Sequence, residues 1–443
     1  LAFILVVAIL HIVNNLAVLL QLQGDYAGAL SLCQRALQAS DRLLGSEHPD
    51  TLTNMINLAT LLQSQGDHAG ALSLCHRALK AQERVLGPDH PSTLISVSNF
   101  AGFLQSQGNY ARALPLYQRA LQARERILGL EHPDTLASVY CLAGLLKSQG
   151  DYAGALPLYR RSLESSERHL GPEHPFTLSS LNGLAVLLQA RGDFADALPL
   201  YKRALEARER VLGQDHPDTL TSVRNLATLL ESQGDYAGAL PLYQRALEVH
   251  ERILGPEHPD TLTSVSNLAV LLQSRGDYAG ALPLFRRLLQ VQERTLGLEH
   301  EHTLHTVNRL AQVLQRKGDL DDAEPLFRRA LDARERTLGP EHQDTLISIN
   351  NLAALLEAKG NPSSAEPLFR RALEGLERTL GPDAVVTLGI RENLGNLHRQ
   401  QHNLAEAEPL YRKTLQSKER TFGPDHPNTL HTLNRLAQVL QSK

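Results

Sequence analysis

Histidine is the side chain best suited to acid–base or metal chemistry near neutral pH, and this sequence sets it out at regular intervals. His48, His90, His132, His174, His216, His258, His300, His342 and His426 are separated by 42 residues or a multiple of it. A catalytic base is needed once, so a series of near-copies points instead to a packing role in a repeated linker. The densest set of metal-capable side chains is His300, Glu301, His302 and His305. Its spacing is not the His-Glu-x-x-His pattern that places two imidazoles on one helix face, and His300 simply continues the linker series. Cys33, Cys75 and Cys141 match no zinc signature and are too few for a disulfide framework, which points to a reducing, cytoplasmic setting. There is no phosphate-binding glycine loop, nucleophile elbow or paired-carboxylate pattern. The expectation is a non-enzyme with no catalytic residue, metal or cofactor.

A second series has binding rather than catalytic chemistry. Asn15, Asn57, Asn99, Asn225, Asn267, Asn351 and Asn393 share one place in the 42-residue period. An amide both donates and accepts, so a row of them can hold the backbone of an extended peptide without reading its side chains. The same amides can instead bond a neighbouring helix, and the residue pattern leaves both readings open. Identical copies cannot discriminate along a ligand, so specificity must come from the exceptions at Cys141, Gly183, Arg309 and Arg435. Around Arg309, the residues His305, Gln312 and Arg316 follow at spacings of four, three and four. That places a basic stripe on one helix face, suited to an acidic peptide, although a solvated face accounts for the same charges. Tyr140 can add an aromatic contact.

The elements that must position these residues follow from the period. Shifting the sequence by 42 residues superimposes Gly-Asp-Tyr-Ala and Leu-Gly-Pro-Glu-His on their copies without insertion or deletion. One glycine series runs from Gly24 through Gly360 and fails only at His402; a second runs from Gly45 to Gly423. In the copy Pro217 to His258, apolar Leu220, Val223, Leu226, Ala227, Leu229 and Leu230 predict helix A over about Pro217 to Gln233. Pro217 suits a first helical position, Asp218 complements the helix dipole, and Gly234 ends the helix in a left-handed conformation. Tyr236, Ala239, Leu240, Tyr243, Ala246 and Leu247 predict helix B from about Tyr236 to Leu254, stopped by Gly255 and Pro256. The Asp or Asn after each glycine-series position, Asp25 to Asn403, is expected to cap helix B in all ten copies. Pro241 and its equivalents Pro199 and Pro283 fall in the second turn of helix B and predict a kinked or loosened first turn. The alanine series Ala29 to Ala407 is unbroken, as close helix approach requires, and Leu288 marks an altered joint.

Bulk properties narrow the partners. The chain has 443 residues, 42% hydrophobic and 21% charged, with a formal net charge of -4. Lys and Arg are interleaved with Asp and Glu, which implies neither a nucleic acid nor a membrane surface as partner.

Leu226-Ala227, Gly234, Tyr236, Ala239-x3-Tyr243 and Ala246 resemble the tetratricopeptide repeat, and the match covers essentially all of the chain. The 42-residue length, the LGPEHPDTL linker at Leu254 to Leu262 and the ALPLYQRALE run at Ala239 to Glu248 are similar to the kinesin light chain repeats. The resemblance implies an all-α, right-handed superhelical solenoid of antiparallel helix pairs. It implies one array over 1–443, with about ten repeats, a terminal unpaired helix A, an atypical apolar start at 1–8, and a fragment cut within a repeat at both ends. The apolar start reads as a truncated helix A or, alternatively, a targeting segment. Helix A is then expected to line the concave side, where the family's asparagines contact peptides, with Thr221, Arg224, Asn225, Thr228, Glu231 and Ser232 facing the groove. The chaperone-binding lysine clamp is not reproduced, because Arg224, Ser266 and Asn308 hold its first position. Kinesin heavy chain enters as a partner by resemblance alone, since the chain contains no heptad segment. The expected function is an adaptor that binds extended peptides or partner helices, acidic ones at Arg309. The alternative is the sensor region of a larger signalling NTPase of the NB-ARC or nephrocystin type.

Overall fold

The structure is a computed structural model that describes residues 12–13, 15–17, 19–20 and 26–442. The expectations for the apolar start, for Gly24 and Asp25 and for Lys443 lie outside the described residues. The described residues form α1 (Tyr26–Leu44), α2 (Pro49–Ser64), α3 (His68–Val85), α4 (Pro91–Ser106), α5 (Tyr110–Leu128), α6 (Pro133–Ser148) and α7 (Tyr152–His169). They continue with α8 (Pro175–Arg191), α9 (Phe194–Leu212), α10 (Pro217–Ser232), α11 (Tyr236–Leu254), α12 (Pro259–Ser274), α13 (Tyr278–Thr295) and α14 (Glu301–Lys317). The last are α15 (Leu320–Thr337), α16 (Gln343–Ala358), α17 (Pro362–Thr379), α18 (Val385–Gln400), α19 (Leu404–Phe422) and α20 (Pro427–Gln441). Even-numbered helices are A helices and odd-numbered ones are B helices. The molecule divides into two compact units, Leu1–Thr261 and Leu262–Lys443, and within each unit consecutive helices pack together.

The linker histidines have a local task that the spacing alone did not specify. His216 precedes Pro217 in extended backbone, and its Nδ1 accepts from the Asp218 N–H at 3.2 Å. The same bond recurs at His48, His90, His132, His174, His258, His300, His342 and His426. The imidazole thus satisfies one of the orphan donors of the A helix, while proline at the first position lacks a donor to satisfy. Ala384 takes the histidine's place before α18, and that helix has no side-chain cap. Threonine closes the linker from the other side: Thr219 Oγ1 donates to the Gly213 carbonyl at 2.8 Å.

The B-helix caps correct the uniform expectation. Asp67, Asp151, Asp235 and Asp277 each accept from the N–H three residues on at 2.9 Å, and Asn361 does so at 3.2 Å. Asn109, Asp193, Asp319 and Asn403 make no such bond. The residue three places on decides between them. It is glycine after each capping aspartate and Ser364 after Asn361, but Arg112, Asp196, Asp322 and Glu406 after the four that fail. A Cβ on Gly238 would lie 2.6 Å from Asp235 Oδ2, so the 2.9 Å aspartate caps need glycine there, whereas the longer Asn361 cap accommodates Ser364. Helix B runs unbroken across Pro241, as it does across the other internal prolines. The A helix of this repeat ends at Ser232, with Gln233 as its C-cap, one residue short of the expected end.

Burial follows the centre of the predicted stripes, while Leu230, Tyr236, Leu240 and Leu247 at their margins are half-buried. Thr219, Leu220, Ser222, Val223, Leu226, Ala227 and Leu229 of α10 and Ala239, Tyr243, Ala246 and Val249 of α11 are buried. All ten alanines from Ala29 to Ala407 are at most 1% exposed, and Leu288 is buried within α13. Across the joints, B helices of successive repeats are bridged by Arg119–Glu83, Arg161–Glu125, Arg203–Glu167 and Arg371–Glu335 at 2.6 to 2.8 Å. A second row links each B helix to the preceding linker, as in Arg252–Asp215 and Arg336–Glu299. These pairs are largely solvated, so they add little to stability, and their value lies in fixing register.

Two stability measurements test this account. Asp235→Ala costs about 1 kcal/mol in urea unfolding and Asp193→Ala costs close to nothing; equal losses contradict the role of the glycine at the third position. His402 alone among the described non-glycine residues has positive φ, at 58°. His402→Gly therefore raises stability by about 1 kcal/mol, and a lower urea midpoint rules the strain out.

Candidate functional site

The candidate surface is the row of A-helix residues that core packing leaves over. Asn225 is half-buried, and its Nδ2 donates to Asn182 Oδ1 on the previous A helix at 2.8 Å. Asn351 and Asn393 repeat the bond, to Asn308 at 3.2 Å and Asn350 at 3.0 Å. The amides therefore couple adjacent A helices, in keeping with the second of the two readings offered by the amide chemistry. One N–H per side chain is used in this way. Asn99 and Asn267 are half-buried, and Asn15 and Asn57 are exposed. Beside this row, Tyr243 on α11 reaches through to Glu231 Oε2 at 3.0 Å, and burial pushes its hydroxyl pKa up to about 12. Arg224 is exposed.

On α14, Arg309 and Gln312 are half-buried, and His305 and Arg316 are exposed on the same helix. Neither Arg309 nor Arg316 has a carboxylate within 4 Å among the described residues. Beneath His305 lies Arg334, only 5% exposed, which donates to Ser348 Oγ at 2.7 Å and to the Asp344 carbonyl at 3.4 Å. Although the residue as a whole is exposed, the groups packed around its ring take water from it, and this, then the charges of Arg309, Arg334 and His302, holds the His305 imidazole below the usual histidine range, with Asp344 opposing. The site thus offers fixed positive charge with little local compensation, which favours an anion. His300 commits Nδ1 to capping α14, and among the described residues no three His, Cys, Asp or Glu side chains gather as metal ligands.

The buried cations were not foreseen. Arg124 and Arg208 repeat the Arg334 arrangement by donating to Ser138 and Ser222 on the next A helix at 2.5 and 2.7 Å. Burial draws all three guanidinium pKa values down, against the pull of Asp134, Asp218 and Asp344 respectively. The available signal was a serine fourteen residues after each arginine, on a helix face that is otherwise apolar.

Tyr140 is half-buried and meets Tyr159 edge-on, with ring centroids 5.3 Å apart at 80°, and Phe176 at 6.2 Å and 65°. Gly183 makes room for it: a Cβ there would lie 2.6 Å from the Tyr140 ring and 2.7 Å from the Tyr159 ring. The break in the asparagine row at Gly183 is thus tied to packing at this joint. Gly183→Ala is expected to lower stability by about 1 to 3 kcal/mol, with much of the loss recovered when Tyr140→Leu is added. Strict additivity in the double-mutant cycle overturns the coupling.

The tetratricopeptide repeat family model matches residues 7–74, 53–101, 135–210, 182–248, 219–294, 260–336, 301–378 and 386–443, and a second tetratricopeptide repeat model matches residues 93–134. No curated protein matches the chain by sequence. Among solved structures, a Podosopora anserina putative kinesin light chain with nearly identical TPR-like repeats is 29% identical, covering 46% of this chain and 98% of that one, with a TM-score of 0.42. BtubC (BKLC) from P. vanneervenii is 22% identical, covering 51% of this chain and 91% of that one at a TM-score of 0.45. The apo form of the quorum sensor NprR from B. thuringiensis is 13% identical, covering 85% of this chain and 99% of that one at 0.58, and shares the fold. With paired helices at a fixed 42-residue interval and family matches spread over nearly its whole length, the chain belongs to the tetratricopeptide repeat family.

Proposed function

We propose that the chain is a non-catalytic interaction scaffold in a cytoplasmic setting, whose A-helix face receives an extended peptide or a partner helix and favours acidic sequence at α14. The observation that carries this reading is the contrast in how arginines are used in the second unit. Arg328, Arg329, Arg336, Arg370, Arg371 and Arg378 on B helices are all paired with carboxylates. His305, Arg309 and Arg316 on α14 stand on one face, and among the described residues none of them forms an ion pair with a carboxylate. Guanidinium groups in that state take a carboxylate from another chain without first breaking an internal pair. Asn351 and Asn393, each with one side-chain N–H left over from its bond to the previous A helix, lie on the following A helices to meet peptide backbone.

Acidic and neutral peptides on an array, bound to the wild type and to the Arg309→Glu/Arg316→Glu protein, test this directly. Charge reversal is expected to weaken acidic peptides about tenfold or more and neutral ones little. Unchanged selectivity ends the proposal. The pH dependence follows from His305. Because its folded-state affinity for protons is depressed, it is neutral in the free protein at neutral pH. A bound carboxylate favours the imidazolium, so binding takes up a proton and tightens as pH falls through the histidine range. Calorimetry in buffers of different ionisation enthalpy reads this proton directly.

A further inference from the structure

A cleft of about 500 Å³ opens in the first unit between the α1–α2 linker, α2 and the C-terminal half of α3. Its floor is apolar, formed by Leu52, Met55 and Ala81, and its rim carries Arg77, Lys80 and Arg84. Arg84 is compensated by an ion pair with Glu47, the one carboxylate in the lining. Among the described residues, neither Arg77 nor Lys80 has an ion-pair partner.

Comparison with the other repeats shows why. The equivalents of Arg77 in the next repeats, Arg119 and Arg161, each reach a glutamate on the preceding B helix, Glu83 and Glu125. The residue that should receive Arg77 is Asp41, where the later repeats have Glu83, Glu125, Glu167, Glu209, Glu251, Glu293, Glu335, Glu377 and Glu419. One methylene shorter, Asp41 makes no ion pair with Arg77, whose guanidinium turns to the cleft instead. Lys80 is also singular. The same position holds Gln38, Gln122, Glu164, Glu206, Glu248, Gln290, Asp332, Glu374 and Gln416, none of them a cation. Two departures from the repeat thus meet at one cleft, and both make it more positive. Side by side at the rim of an apolar floor, the two cations favour a multiply charged anion.

We propose that this cleft binds a small organic anion, with a phosphate-type head held between Arg77 and Lys80 and an apolar body on Leu52, Met55 and Ala81. This site is separate from the α14 stripe. Phenyl phosphate is the probe, titrated at low ionic strength and followed by methyl NMR of Met55, the chain's single methionine. Inorganic phosphate and phenylacetate serve as comparison arms for the head and the body. Phenyl phosphate is expected to bind several-fold tighter than either. Asp41→Glu and Lys80→Gln restore residues found in sibling repeats, so neither threatens folding, and together they are expected to weaken the probe about tenfold. The Arg309→Glu/Arg316→Glu protein binds it like wild type. No shift of the Met55 signal in the wild type, or equal affinity in the Asp41→Glu/Lys80→Gln protein, overturns the proposal.

Discussion

How near two helices can approach is set by the smallest side chain between them, and here that side chain is alanine in every repeat. Ala101 on an A helix and Ala113 on the following B helix lie in one core cluster, as do Ala311 with Ala323 and Ala353 with Ala365. With no bulk at these points the backbones come together, and the larger residues on either side, Tyr117, Phe327 and Phe369, fill the space above and below. Each A helix then presents the same residues at its surface as the last one did. Without that constraint the asparagine row would not be a row.

Three kinds of polar chemistry hold successive repeats in register within each unit. The B helices use solvated arginine–glutamate pairs, and the A helices use amide-to-amide bonds such as Asn225 to Asn182. Between them run the buried guanidiniums of Arg124, Arg208 and Arg334, each satisfied by a serine of the next A helix. A joint held at several depths resists sliding, which keeps ligand-facing groups at constant spacing. Both proposed binding sites fall where a joint group is left over: Arg309 interrupts the amide row, and Arg77 lacks its glutamate.

Much of this was written in the period. Because 42 residues recur without slippage, helix boundaries, the glycine turns and the buried alanines could be read from any one copy. What escaped was the identity of each partner that lies one repeat away. Arg161 and Glu125 are 36 residues apart and Asn225 and Asn182 are 43 apart, and nothing in a single helical stripe says which carboxylate or amide will be met. The capping aspartates misled for a related reason. Asp193 and Asp235 look equivalent alone, and only the Cβ three residues later separates them. The histidines, expected to pack, cap helices, because an imidazole in extended backbone just before the helix has its Nδ1 within reach of the amide two residues on.

The helices of each unit touch mainly their sequence neighbours. Selection therefore acts on this molecule almost rung by rung. A shortened carboxylate at one joint or a cation at one surface site changes its own repeat and the adjoining one, while distant copies keep their geometry. Duplication supplies spare rungs and point mutation specialises them singly, so an array built from near-identical units can acquire several unlike ligands without a new fold.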